Sequence, residues 1–469
     1  MVRQYKAVIT STLLFLVAAN TQLANNRITA GGHRFYTLGQ IATPSVKRDW
    51  LLNELQLMVL SHPGTGTVTV HLRINSGAMF DLAGKGGLAD ITAGMLLRGA
   101  KGLAAKDLTE LVSQLGLSVN VKVGWDSTDI TVAGPATGLE SILDVLARLV
   151  IAPTFGQNEF DSLKAARSKE LSGEKSNPMD VARETAIETL YGRYPLGRPV
   201  HGTSDSISKI SRNDVVYYHD RFYNASDAEL VVEGDVTTEE VTKLARSQLG
   251  IWKKGEKVPA TFLPPEAPSS RRILVVDRPE SSDSSTVVAG LGISRRAKDY
   301  LASAVMTQLL NASVARSTSG AASGVRTNLE ARYLAGPLLV EFVSPADKAA
   351  TAVQTVIDAM ERLRAGDIPP EELEQAKQKV ITSYAQDTAT SEGQMTALLD
   401  IEQYGLGRDY LLNFAARVAA VRADEVKSAA QKHLSPQSLV VSAVGPAASL
   451  SVSLKKLGQV SVVGGQHTF

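Results

Sequence analysis

Asp214-Val215-Val216-Tyr217-Tyr218-His219-Asp220-Arg221-Phe222-Tyr223 leads through Ala228-Glu229-Leu230-Val231-Val232-Glu233-Gly234-Asp235, an amphipathic helical stretch running into a buried strand closed by glycine. The same pattern returns at Asp424-Glu425-Val426-Lys427-Ser428-Ala429-Ala430-Gln431-Lys432-His433 and Ser438-Leu439-Val440-Val441-Ser442-Ala443-Val444-Gly445. Gly234 and Gly445 stand 211 residues apart. A repeat at that interval marks a unit used twice, so the chain reads as two homologous halves.

Working outward, Leu55–Leu60 and Val68–Ile74 alternate as strands about the turn Pro63-Gly64-Thr65-Gly66, which predicts a hairpin or neighbouring strands. Leu88–Arg98 and Ala105–Leu115 have helical spacing, Ser118–Val123 and Asp129–Val132 alternate again, and Leu139–Ile151 and Gln157–Lys175 return to helical spacing. Strands, helices, strands, then helices predict an α+β layer rather than a regularly alternating parallel sheet. A chain of 469 residues exceeds one ordinary core. The first half is expected over 45–252 and the second over 271–469. Between them, 253–270 is charged and proline-rich, as an exposed linker would be.

At the start, Arg3 and Lys6 precede an apolar run from Ala7 to Ala19, a signal-peptide pattern over 1–24 with cleavage near 19–24. Whether this leader is removed or anchors the chain is left open. No later apolar stretch is long enough to span a bilayer, so no stable membrane span is expected after leader removal. Lys and Arg total 49 against 48 Asp and Glu, which offers no electrostatic case for nucleic acid. Cysteine is absent, which excludes disulfides, thiolate catalysis and cysteine-bound zinc. No Gly-x-Ser-x-Gly elbow and no clear nucleophile and base pair appear.

Gly87-Leu88-Ala89-Asp90-Ile91-Thr92-Ala93-Gly94-Met95-Leu96-Leu97-Arg98-Gly99 keeps the frame of an inverted zinc-peptidase helix, H-x-x-E-H. Such a helix sets two imidazoles four residues apart on one face, with a carboxylate beside them to activate a zinc-bound water. Here those places hold Asp90, Ala93 and Gly94. One carboxylate and two side chains without donor atoms cannot hold zinc. By itself the stretch would pass for the start of a buried, small-residue helix.

Its surroundings give it meaning. Ile74-Asn75-Ser76-Gly77-Ala78 precede it, Leu196-Gly197-Arg198-Pro199-Val200-His201-Gly202-Thr203 and Ile207-Ser208-Lys209-Ile210-Ser211 follow, then Ala228–Val236, Pro370–Lys377 and Tyr404–Tyr410. In order and spacing these segments resemble the M16 peptidase family, the insulinase-like group that includes pitrilysin, mitochondrial processing peptidase and small M16B-type bacterial relatives. The resemblance covers nearly the whole chain after the leader. It implies two homologous M16-type (LuxS/MPP-like) halves, each of two similar subdomains, arranged as a clam shell around a peptide chamber.

Active members resemble one another in binding zinc through both histidines and a glutamate about 76 residues beyond the second. Counted from Gly94, that place falls on Glu170, a vestigial third-ligand position in a charged helix. The bare reading of Glu170 is a solvated or salt-bridged side chain. Active members also use an arginine and a tyrosine from the second half against substrate. Matching Gly324-Val325-Arg326-Thr327 to the family's G-L-x-Y puts those places at Val314 and Thr327, both lost; slippage in the Ser317–Gly324 loop would make Arg316 and Tyr333 the substrate contacts instead. Both assignments stay open here.

The resemblance therefore implies a metallopeptidase homologue with no catalytic residues and no metal or cofactor of its own. It looks like the non-catalytic subunit of an exported, periplasmic or secreted, bacterial heterodimer that carries out proteolysis. A homologous M16 partner with H-x-x-E-H would supply the zinc, and this chain would close the chamber and hold peptides or unfolded protein segments. The alternative is a free-standing pseudopeptidase that binds or scaffolds peptides.

Overall fold

The computed structural model describes residues 45–172, 177–256 and 262–464. The leader expected over 1–24 lies outside the described residues. In the first half the strands are β1 (Val46–Trp50), β2 (Gln56–Ser61), β3 (Thr67–Ile74), β4 (Gly99–Ala100), β5 (Leu103–Ala104), β6 (Ser118–Val123), β7 (Thr128–Pro135) and β8 (Ala228–Gly234). Its helices are α1 (Leu88–Leu96), α2 (Ala105–Gln114), α3 (Leu139–Ile151), α4 (Gln157–Ser172), α5 (Pro178–Tyr191), α6 (Ser204–Ser208), α7 (Arg212–Phe222) and α8 (Thr238–Leu249). The second half contains β9 (Arg272–Asp277), β10 (Asp283–Leu291), β11 (Ser323–Leu329), β12 (Pro337–Pro345), β13 (Val440–Gly445) and β14 (Val460–Val463). Its helices are α9 (Tyr300–Ser317), α10 (Ala349–Ala365), α11 (Pro370–Asp387), α12 (Ser391–Tyr404), α13 (Tyr410–Ala419), α14 (Ala423–His433) and α15 (Ala447–Leu454).

Each half builds one six-stranded sheet, ordered β1-β2-β8-β3-β7-β6 and β14-β9-β13-β10-β12-β11. Position for position these are the same topology. The two glycine-ended strands of the repeat, β8 and β13, occupy equivalent central places, each parallel to one neighbour and antiparallel to the other. Only the outer strand breaks the likeness: β1 comes from the start of its half and runs antiparallel, whereas β14 comes from the end and runs parallel.

The turn at Pro63–Gly66 does not make a hairpin or a neighbouring pair, because β8 lies between β2 and β3. The physical reason is visible in β8, buried at every residue from Ala228 to Gly234. A strand buried along its whole length, with Leu230 and Val232 on one face and Val231 between Glu229 and Glu233 on the other, is accommodated in the middle of a sheet covered on both sides, and it displaces the local pairing.

The second covering layer comes from the opposite half. α5 packs on β10 and β13, while α12 packs on β8. Ala182, Ala186 and Leu190 of α5 share a core with Val287, Ala289, Leu339, Val440 and Val444 of the second sheet. Met58, Leu60 and Val231 of the first sheet belong to the same core as Leu398 and Ile401 of α12. α5 and α12 begin 213 residues apart and are the same length, so this exchange is a second sign of the repeat. The start of α5 is set locally: Asn177 accepts from the Met179 N–H at 3.0 Å and Pro178 opens the first turn.

Two M16-type halves are present. Within each, the described residues pack helices on one six-stranded sheet, and the first half adds the short β4–β5 pair. The halves join through continuous packing. Among the described residues no helix is long and apolar enough to cross a membrane.

Candidate functional site

α1 opens at Gly87, whose φ of +89° and crowded setting both require glycine. A Cβ there would lie 2.7 Å from the His201 carbonyl oxygen. Asp81 takes over the start of the helix, accepting from the N–H groups of Gly87 at 2.6 Å and Ala89 at 2.8 Å. Burial pushes its carboxyl up to about 7 against the pull of those N–H groups. Lys85 pairs with Asp214 of α7 at 2.6 Å, and Arg198 donates to the Asp81 carbonyl at 2.9 Å. These contacts bring the 198–203 segment against α1.

Asp90 is buried, with a relative exposure of 6%, and a basic side chain stands beside each of its oxygens. Arg167 Nε of α4 stands 3.0 Å from Oδ2, and His201 Nδ1 lies 3.0 Å from Oδ1. The same guanidinium reaches Glu170 at 2.8 Å. The hydrogen bond to Asp90 raises the His201 imidazole above its ordinary value. Ala93 is buried, and a Cβ on Gly94 would stand 3.0 Å from Leu163 Cδ2.

Asp90 and Glu170, which the resemblance assigns to the places of the first histidine and the third ligand, thus share a side-chain cation. A zinc ion does not fit this set: the carboxylate that could bind it is already paired twice, and guanidinium is a permanent positive charge. Among the described residues no group of three His, Cys, Asp or Glu has the geometry to hold a metal. Arg167 and His201 were missed in the sequence. Arg167 had one legible sign, its position three residues before Glu170 on the same helix. His201 had none, lying 111 residues from Asp90.

The second-half candidates have other partners. Arg316, in the last turn of α9, pairs with Glu372 at 2.7 Å. The Tyr333 N–H donates to Asp126 at 2.7 Å and its hydroxyl accepts from Arg296 at 2.6 Å. Val314 is fully buried, and the Thr327 N–H donates to Asn311 at 2.9 Å. Among the described residues none of the four shares a partner with Asp90 or Glu170.

Two features beside the degenerate helix are intact. α1 packs against β6, the outermost strand of its sheet, whose residues alternate between exposed and half-buried up to Lys122. The halves are also tied at a polar seam. Arg73 of β3 meets Asp129 at 2.7 Å and Asp400 of α12 at 2.6 Å, while His71 meets Asp129 at 2.8 Å. Burial opposes ionisation of Asp129, but Arg73 and His71 hold it below the usual carboxylate range. Asp126, pushed up by burial, receives the Tyr404 hydroxyl at 3.2 Å and the Tyr333 N–H. Arg183 of α5 pairs with Glu330 and Glu341 across the same seam.

The family model for insulinase, peptidase family M16, matches residues 57–204, and the model for the peptidase M16 inactive domain matches 209–380. The chain belongs to the M16 peptidase family. Its M16 fold lacks the family's zinc motif. An uncharacterized zinc protease of Rickettsia bellii is 25% identical over 44% of this chain and 50% of its own length. The beta subunit of human mitochondrial-processing peptidase is 27% identical over 43% and 41%. The non-peptidase homolog YmxG of Helicobacter pylori is 24% identical over 44% and 48%. The chain spans about half the length of the curated relatives it matches.

Among solved structures, a peptidase M16 inactive domain from Pseudomonas fluorescens superposes with a TM-score of 0.77 at 22% identity, covering 86% of this chain and 98% of that one. The periplasmic protease PqqL of Escherichia coli gives 0.71 at 16% identity, covering 90% of this chain and 52% of PqqL. This M16 fold therefore corresponds in extent to half of that larger protease.

Proposed function

We propose that this chain is the non-catalytic subunit of an exported heterodimeric M16 zinc peptidase. The observation that carries this reading is the Arg167 guanidinium bound to both Asp90 and Glu170, a fixed cation between two former ligand places. Losing the metal while keeping the packed helix, and the open strand edge beside it, favours holding peptide over cutting it. An extended segment can add to β6 through main-chain hydrogen bonds. The correspondence with about half of PqqL, and the likeness to a protein named as a subunit, support a partner that completes the chamber. The likeness to a periplasmic protease and the leader pattern support export.

In this role the homologous partner brings H-x-x-E-H and zinc, while this chain limits what enters and aligns it. The open β6 edge is present in the chain alone, which favours a free-standing peptide-binding pseudopeptidase as the second reading. Co-expression with an H-x-x-E-H homologue from the same genome, followed by size analysis, separates them. A stable one-to-one complex with peptidase activity is expected. A lone chain that binds peptide and never pairs would replace the first reading with the second. One tightly held zinc per isolated chain, with cleavage, would sink both.

A further inference from the structure

A cleft of about 1030 Å³ opens between the halves, beyond α5 and next to the loops that hold α1. Its floor is the inner face of the second sheet, where Arg272 and Leu274 of β9 lie beside Ser461 of β14. One wall is the end of α5 with Arg193, and the other is the 198–209 segment. Among the described residues Arg193, Arg198, Lys209, Arg271 and Arg272 line it against two acids, Glu188 and Asp205.

How these cations are held decides the sign of the cleft. Lys209 is neutralised by Asp205 at 2.5 Å. Arg198 donates to the Asp81 carbonyl at 2.9 Å, and Arg271 donates to the carbonyls of Pro436 at 2.7 Å and Leu457 at 3.1 Å. Carbonyl oxygens fix a guanidinium in place without cancelling its charge. Arg193 and Arg272 are exposed and make no ion pair among the described residues. The chain as a whole is nearly neutral, so this local excess is a property of the cleft.

The geometry points to this cleft as a binding site for an acidic peptide segment, its carboxylates received by Arg193 and Arg272 and its aliphatic parts lying on Leu274. The volume is at the upper end of small-molecule pockets, and the guanidinium groups are spread over floor and both walls. That spacing suits several carboxylates along a chain, whereas a compact anion would use one of them. Guanidinium is also the side chain best matched to a carboxylate. This cleft is a site apart from the β6 edge, and the inference rests on the peptide-holding reading for the kind of ligand.

The test is fluorescence anisotropy on the full chain with three labelled peptides of equal length, one bearing Glu and Asp, one with Gln and Asn in their place, one with Lys. The acidic peptide should bind about tenfold tighter than its amide counterpart, with the margin shrinking at high salt. Arg193→Gln with Arg272→Gln should abolish the margin without moving the melting temperature, and Arg193→Glu with Arg272→Glu should favour the Lys peptide. Equal binding of acidic and amide peptides, or a margin that survives both double variants, overturns the acidic preference and leaves peptide holding intact. Full displacement by inorganic phosphate also overturns it, showing a simple anion site. No binding by any of the three removes the peptide-holding reading as well.

Discussion

Arg167 and Asp90 meet at 3.0 Å across the junction of α4 and α1, and Arg167 is the link by which Asp90 is tied to Glu170. Carboxylates at two former ligand places would repel each other at close range. Guanidinium removes that conflict at any working pH because it does not deprotonate. Asp90 and Glu170 are therefore joined in one ionic unit whose buried member is Asp90.

Arg167→Ala should lower stability by about 1–3 kcal/mol, since Asp90 would keep one oxygen buried without a cation. Arg167→Lys should recover only part, because an ammonium cannot present the same fork to both acids. Urea unfolding of the three proteins checks this. Identical midpoints would show that the unit is incidental to the fold.

Restoring the motif with Asp90→His, Ala93→Glu and Gly94→His should still give no stoichiometric zinc. Arg167 keeps its charge beside the rebuilt ligands, and the side chain placed at Gly94 meets Leu163. Adding Arg167→Ala and Leu163→Ala should allow zinc to bind, as read by metal analysis after gel filtration. Zinc taken up by the triple variant alone would contradict this.

Two groups near α1 make stability depend on pH in one direction. Asp81 carries a folded value of about 7, above its unfolded value, so the stabilisation from its proton is complete below the unfolded value and lost as pH rises to about 7. His201 is also raised, so its contribution holds below the ordinary imidazole value and is lost as pH rises through its higher folded value. Urea midpoints should fall between about pH 5.5 and about pH 8.5. The fall should be shallower in Asp81→Asn, whose side chain does not ionise and whose single amide oxygen can accept from one of the two N–H groups, Gly87 or Ala89. Parallel slopes for the two proteins would mean that Asp81 is ionised throughout.

Arg73→Ala should cost about 3 kcal/mol, leaving Asp129 buried without its guanidinium, beside His71 and the Ser127 hydroxyl, and releasing Asp400 of α12. Loss of this seam should also increase hydrogen exchange in α12 before the β2–β8–β3 core opens. Uniform exchange through both halves would instead indicate a purely global effect.

Much of the fold was legible in local pattern. The strand over Ser118–Val123 and the helix over Leu139–Ile151 coincide with β6 and α3, because period and burial agree there. The repeat was legible because β8 and β13 share a composition suited to a central strand. The pairing of β2 with β8 was not, since a turn such as Pro63–Gly66 reports only on neighbours in sequence. Nor was the exchange of α5 and α12, whose moderate amphipathicity does not say which sheet they cover.

From the sequence alone came the loss of both histidines and the base at Asp90, Ala93 and Gly94, because chemistry requires donor atoms and the residue types lack them. What Asp90 pairs with instead was decided only by tertiary structure. Asp90, Arg167 and His201 come from α1, α4 and the 198–203 segment, and they become a unit only when packing buries Asp90 and brings the other two within 3.0 Å of it.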